Sequence, residues 1–181
     1  MEEKMKTIML CLNQLGIGGI ETAVLNQTIQ LIKRGYRVLI LSKDGIYREK
    51  FEEEGAIFLP TEYSMKDTKK AEKVEKIKKW IEEYNAEQVH IHQFECIDTV
   101  FWACQITKTP YVAYLHNSIT GTYKWYEQAL QSYNTIFPLY FINAEKNIYI
   151  KEKTKIENQE KFNIDSGKYK KIKNSIDFEK F

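Results

Sequence analysis

The chain has 181 residues, with 27 Lys and Arg against 25 Asp and Glu and a formal net charge of +2. At 43% hydrophobic and 13% aromatic it is too apolar for disorder, and its near-neutral balance gives no basis for nucleic-acid binding. No apolar run approaches the roughly 18 to 20 residues of a membrane span, and no signal-peptide cleavage pattern follows the first residues. Three cysteines without framework spacing suit reduced thiols in a cytoplasmic protein.

In chain order, residues 7–12 read as a short buried strand, bounded by Asn13 and by Gly16, Gly18 and Gly19. Residues 20–33 follow as a helix, with Ile20, Val24, Leu25, Thr28, Leu31 and Ile32 on one stripe and Gly35 as its stop. Residues 37–42 form a second strand, 47–54 a helix ended by Gly55, and 56–59 a third strand stopped by Pro60. Residues 68–84 make a charged helix with Ala71, Val74, Ile77, Ile81 and Tyr84 on its apolar face. Strand four is predicted at 89–92, a helix from Asp98 or Thr99 to Thr107, and strand five at 111–116. A helix around 123–132, a sixth strand at 139–143, a helix at 144–153 and a last strand at 171–176 complete the series. Short apolar runs alternating with amphipathic segments imply an α/β fold: a doubly wound, mainly parallel Rossmann-like sheet with helices on both faces.

In such a sheet ligands bind beyond the carboxyl ends of the strands. That directs attention to residues 13–21, 42–44, 92–98 and 116–122. Gly16, Gly18 and Gly19 sit between strand one and helix one, where free N–H groups at a helix start can receive a phosphate, or where a tight turn alone needs them. Their spacing is not G-x-G-x-x-G, and no Lys-Ser or Lys-Thr pair makes a P-loop. Asp44, after strand two, is a ribose candidate only by a generous count. Glu21 can cap its own helix or take a hydroxyl-bearing ligand.

His90 and His92 stand two apart on strand four and share a face. With Cys96 or Asp98 they suggest a metal site, but no accepted ligand spacing supports one, and no metal is expected. His116 ends strand five, where its side chain can enter the cleft, and Asn117 follows it. Cys11 and Cys104 fall on buried stripes and read as inert core thiols. Tyr123, Trp125 and Tyr126 form either an acceptor lip or a helix anchor. The Lys-rich segment 66–79 with Trp80 offers a membrane-surface face, although interleaved glutamates also suit a solvated one.

Several of these segments, taken in order, resemble family 4 glycosyltransferases. Gly18-Gly19-Ile20-Glu21-Thr22-Ala23-Val24-Leu25-Asn26, running into Lys33-Arg34-Gly35-Tyr36-Arg37-Val38, looks like that family's first helix. Val89-His90-Ile91-His92 is similar to its His-x-His strand, and Pro110-Tyr111-Val112-Ala113-Tyr114-Leu115-His116-Asn117 to its fifth strand. Asn174-Ser175-Ile176-Asp177 through Phe181 resembles its interdomain "Asn-Gly-Ile-Asp", with Ser175 in place of glycine.

The resemblance implies one half of a GT-B fold and a retaining transferase that needs no cofactor. Its donor would be a nucleotide-diphosphate sugar and its acceptor a polysaccharide or glycolipid of a bacterial cell envelope. It further implies that Gly18 and Gly19 approach the donor diphosphate, that His116 acts near the reacting centre, and that Glu21, His92, Asn117 and Tyr123 shape the substrate pocket. Residues 1–170 are then the acceptor-side domain, and 171–181 begin a linker to a C-terminal donor-binding domain outside this sequence. By itself the chain is expected to be inactive. The location implied is cytoplasmic, with peripheral contact at the inner membrane face. A free-standing α/β binding module without catalysis is the alternative.

Overall fold

Residues 7 to 12 are buried in unbroken succession, so the first strand is covered on both faces and belongs at the centre of a sheet. The computed structural model describes residues 5–62, 69–116 and 137–172 and places that strand, β1 (Thr7–Gln14), in the interior of a seven-stranded sheet, third from one edge. The other strands are β2 (Arg37–Lys43), β3 (Ile57–Pro60), β4 (Ala86–Ile91), β5 (Tyr111–Leu115), β6 (Lys146–Tyr149) and β7 (Tyr169–Lys171). Every pairing is parallel, and the order is β3-β2-β1-β4-β5-β6-β7. The expected doubly wound α/β architecture is therefore present.

The described helices are α1 (Gly19–Lys33), α2 (Arg48–Glu53), α3 (Lys70–Glu83), α4 (Phe94–Thr107), α5 (Phe137–Ile142) and α6 (Glu152–Phe162). Alternation along each strand builds two cores. Met9, Cys11, Leu39, Val89, Ile91 and Ala113 face α3, α4 and α5. Ile8, Leu10, Leu12, Val38 and Ile40 face Val24 of α1 and Phe51 of α2. Gly35 closes α1 at φ +83°, a conformation that disfavours side chains, and so acts as the expected stop.

Several expectations need correction. Residues 139–143 are not strand six: 139–142 fall in α5, where Tyr140 and Phe141 are buried while Leu139 and Ile142 are exposed, a helical pattern, and Asn143 follows the helix in a bend. Residues 144–153 are not a helix; β6 runs through them, and α6 starts only at Glu152. The last described strand is β7, ending at Lys171, and residues 173–176 lie outside the described residues, as does the helix expected at 123–132. Helix α4 starts at Phe94, four residues before Asp98. Pro60 ends β3 from within, which an edge strand tolerates because one side of its ladder needs no donor. Ala71 is exposed, while Val74, Ile77 and Ile81 hold α3 to the core.

Among the described residues no helix is long and apolar enough to cross a membrane. Trp80, the candidate membrane residue, packs partly against the core, and Lys76 Nζ lies 4.6 Å from its ring centroid.

Candidate functional site

The strand order turns back on itself between β1 and β4, since the chain leaves β1 toward β2 and β3 and later returns on the other side. In sheets of this kind the ligand crevice lies at the carboxyl edge, at such a switch point. Gly18, Gly19 and Glu21 lie at one wall of it. His92, Gln93 and His116 lie beyond the ends of β4 and β5.

The β1–α1 loop is fixed by its neighbours. Leu15 N–H donates to the Lys43 carbonyl at 3.2 Å, and the Leu15 carbonyl accepts from Tyr47 N–H at 3.0 Å. The N-terminus of α1 has no side-chain cap, so its first N–H groups remain available to a ligand. Thr22 donates to the Gly18 carbonyl twice, from N–H at 3.1 Å and from Oγ1 at 2.9 Å. Glu21 is only 9% exposed. Its Oε1 accepts from Gln93 Nε2 at 3.4 Å, and Gln93 Oε1 in turn accepts Asn13 N–H at 2.5 Å. Gln93 thus joins the end of β1, the start of α1 and the start of α4. A Cβ at Gly18 would run into the Glu21 carboxylate, whereas Gly16 and Gly19 face open space.

On the α1 side of the sheet, β4 and β5 carry polar and aromatic residues where β1 and β2 carry aliphatic ones. Gln27 of α1 donates to His90 Nδ1 at 2.9 Å and to the Tyr114 hydroxyl at 3.1 Å. An amide nitrogen can only donate, so His90 Nδ1 is an acceptor and the His90 proton sits on Nε2. From there it meets Gln88 Oε1 at 2.8 Å. Gln88 donates onward to Glu145 Oε2 at 2.8 Å. Further toward the carboxyl edge, His92 Nδ1 lies 3.2 Å from His116 Nε2, and His92 stacks on Tyr114 with centroids 4.1 Å apart.

Burial sets the charge of this cluster. It lowers His90 and His116 to about 4 each. His92 falls well below the usual histidine value through burial, with His116 and His90 adding repulsion. All three imidazoles are neutral at pH 7. Hence an anion in the crevice would meet backbone N–H groups and neutral donors, not imidazolium.

His116, His92, Gly18, Gly19 and Glu21 therefore line one edge of the sheet, while Asn117 and Tyr123 lie outside the described residues. Cys96 and Asp98 do not join the histidines. The Cys96 thiol turns to the Gln93 and Cys11 carbonyls, and Asp98 pairs with Lys70 and accepts from the Tyr140 hydroxyl at 2.7 Å. Among the described residues no three His, Cys, Asp or Glu stand close enough to hold a metal ion. Asp44 is engaged locally by Gly45 N–H at 2.7 Å and by Arg48 at 3.1 Å. Cys11 and Cys104 are buried, and burial raises both thiols, Cys104 to about 12, which leaves them unreactive.

Gln27, Gln93 and Tyr114 join the site without being marked as candidates by the sequence pattern. Gln27 had one available signal: a polar residue one turn after Val24, on the flank of the buried stripe.

A parallel sheet of this order with its polar residues gathered at the switch point defines a Rossmann-like domain, a fold whose ligands bind at the carboxyl edge. Residues 17–180 match Glycosyltransferase Family 4, and the chain belongs to that family. No curated protein matches the sequence.

Among solved structures, a glycosyltransferase from Rickettsia africae ESF-5 superposes with a TM-score of 0.75 at 18% identity, over 94% of this chain and 43% of its own. Anabaena HepE in complex with UDP and glucose gives 0.73 at 16% identity, over 96% and 45%. The lipopolysaccharide outer core galactosyltransferase WaaB in its apo form gives 0.68 at 15% identity, over 95% and 46%. The chain thus spans less than half the length of these structures, and at such identities the likeness is one of fold.

Proposed function

We propose that this domain forms the acceptor-side half of a retaining glycosyltransferase, which moves a sugar from a nucleotide-diphosphate donor to a polysaccharide or glycolipid acceptor. The observation that carries the reading is the convergence at the switch point: an uncapped helix start at Gly18 and Gly19, tied through Glu21 and Gln93 to the end of β4, where His92 meets His116. The N–H groups of α1 suit the diphosphate leaving group, because they offer partial positive charge without reorganisation. His116, neutral at the rim, suits a hydrogen bond to a sugar hydroxyl near the reacting carbon. Glu21, held by Gln93, shapes the pocket beside it. The donor sugar and its nucleotide would be gripped mainly by a second domain, so turnover needs the full-length enzyme with both faces of the cleft.

The test is sugar transfer by that full-length enzyme from a panel of nucleotide-diphosphate sugars. The His116→Ala variant is expected to fold normally and to lose roughly tenfold to a hundredfold in kcat/KM, as expected for one hydrogen bond to a reacting group. Unchanged turnover would remove His116 from the site, and no transfer from any donor would end the reading.

A further inference from the structure

We infer that His92 is a positioning residue that holds His116 in its Nδ1–H tautomer, so that His116 presents the crevice with a hydrogen-bond donor and not a base. The argument rests on the contact between the two rings. His92 Nδ1 and His116 Nε2 are 3.2 Å apart, so one of them carries the shared proton. His92 is 2% exposed, and its other nitrogen, Nε2, is buried and has no partner among the described residues.

If His116 donated, His92 would carry its own proton on Nε2, as a buried N–H with no acceptor among the described residues. If His92 donates from Nδ1, the orphan is only a lone pair. Orphaned buried N–H groups are rare in folded proteins, and unused acceptor sites are tolerated better. The second arrangement is therefore favoured. It makes His116 Nε2 the acceptor, and a neutral His116 must then hold its proton on Nδ1.

The ring that enforces this is itself held. Tyr114 stacks on His92 and lies nearly parallel to His116, at 15° and 5.8 Å between centroids. Its hydroxyl is pinned by Gln27. Burial keeps His116 neutral around pH 7, so the tautomer persists under working conditions.

The tautomer can be read on this chain directly, by nitrogen-15 NMR of the imidazole rings, with no activity required. The expected spectrum shows His116 protonated at Nδ1 and bare at Nε2. In His92→Phe, which keeps a ring against Tyr114 but cannot donate, His116 should move toward the Nε2–H form that neutral histidine ordinarily prefers. His92→Gln, which retains an N–H donor, should restore the wild-type pattern. A wild-type His116 protonated at Nε2 overturns the inference, as does a His116 tautomer unchanged in His92→Phe. Should the phenylalanine variant fail to fold, the wild-type spectrum decides alone.

The consequence for turnover rests on the proposed function and is measured separately in the full-length enzyme. His92→Phe should lower kcat by roughly tenfold, the worth of one hydrogen bond, with partial rescue by His92→Gln. Absence of transfer in the wild type would overturn the transferase reading and leave the tautomer assignment to the spectrum.

Discussion

Gly18 and Gly19 are neighbours in sequence and opposites in what they tolerate. Gly18 has φ −170° and ψ 170°, an extended conformation open to any residue, so its requirement is steric and comes from the Glu21 carboxylate. Gly19 opens α1 with free space around it. Gly19→Ala should therefore stabilise the fold by about 0.4 to 1 kcal/mol, because alanine has less unfolded-state freedom to lose. Gly18→Ala should instead cost about 1 kcal/mol, since the displaced carboxylate gives up its bond to Gln93. Urea denaturation of both variants measures the opposite signs. Combining Gly18→Ala with Glu21→Ala should give less than the sum of the two losses, since the colliding group is already gone. A fully additive double variant would show that Gly18 is needed for another reason.

At the scale of elements, what could be read in advance followed the visibility of apolar runs. Strands β1, β2 and β5 are uninterrupted aliphatic or aromatic segments and were legible. Strand β6 was not, because its buried Asn147 breaks the pattern; its amide donates to the Phe141 carbonyl at 3.1 Å, a bond the sequence does not advertise. Helix α5 was misread because six residues of Phe-Pro-Leu-Tyr-Phe-Ile are too few to separate a period of 2 from one of 3.6, and Pro138 sits in its first turn, where proline is tolerated. The site divides the same way. His116, Gly18 and Glu21 stand at strand and helix ends, which topology marks. Gln27 and Gln93 act through partners 63 to 87 residues away, so only the folded chain brings them into view.

One loop-to-loop contact gives an element-scale test. A Cβ at Gly45 would collide with the backbone carbonyl of Leu15, and a backbone atom cannot swing aside as a side chain can. Gly45→Ala should cost about 1 to 3 kcal/mol as an overpacked contact. It should also speed amide exchange at Leu15 and Tyr47, whose N–H groups tie these two loops together. Unaltered exchange at both would mean that the loops are held apart from this contact.

The whole molecule has three histidines, and His90, His92 and His116 all stand in the one cluster between α1 and the sheet edge. This concentrates its acid sensitivity in a narrow range. In the unfolded chain each would titrate near 6.5, whereas in the fold burial lowers His90 and His116 to about 4 and His92 further. Between those values the unfolded state binds more protons than the native one, so stability rises with pH across the window and is lost as pH falls from 6.5 toward 4. For His90 alone the gap corresponds to a loss of about 3 kcal/mol by the acid end of the window. That is a large fraction of the 5 to 15 kcal/mol that holds a typical domain together. Urea midpoints taken across the window should fall steeply with acid. His90→Gln, which keeps a polar side chain but cannot titrate, should flatten the curve even if it lowers its top. A midpoint level from neutral pH down to 5 would mean that the imidazoles take up protons inside the folded sheet. The crevice would then present positive charge to its ligand, and the neutral-donor account of His116 would have to be abandoned.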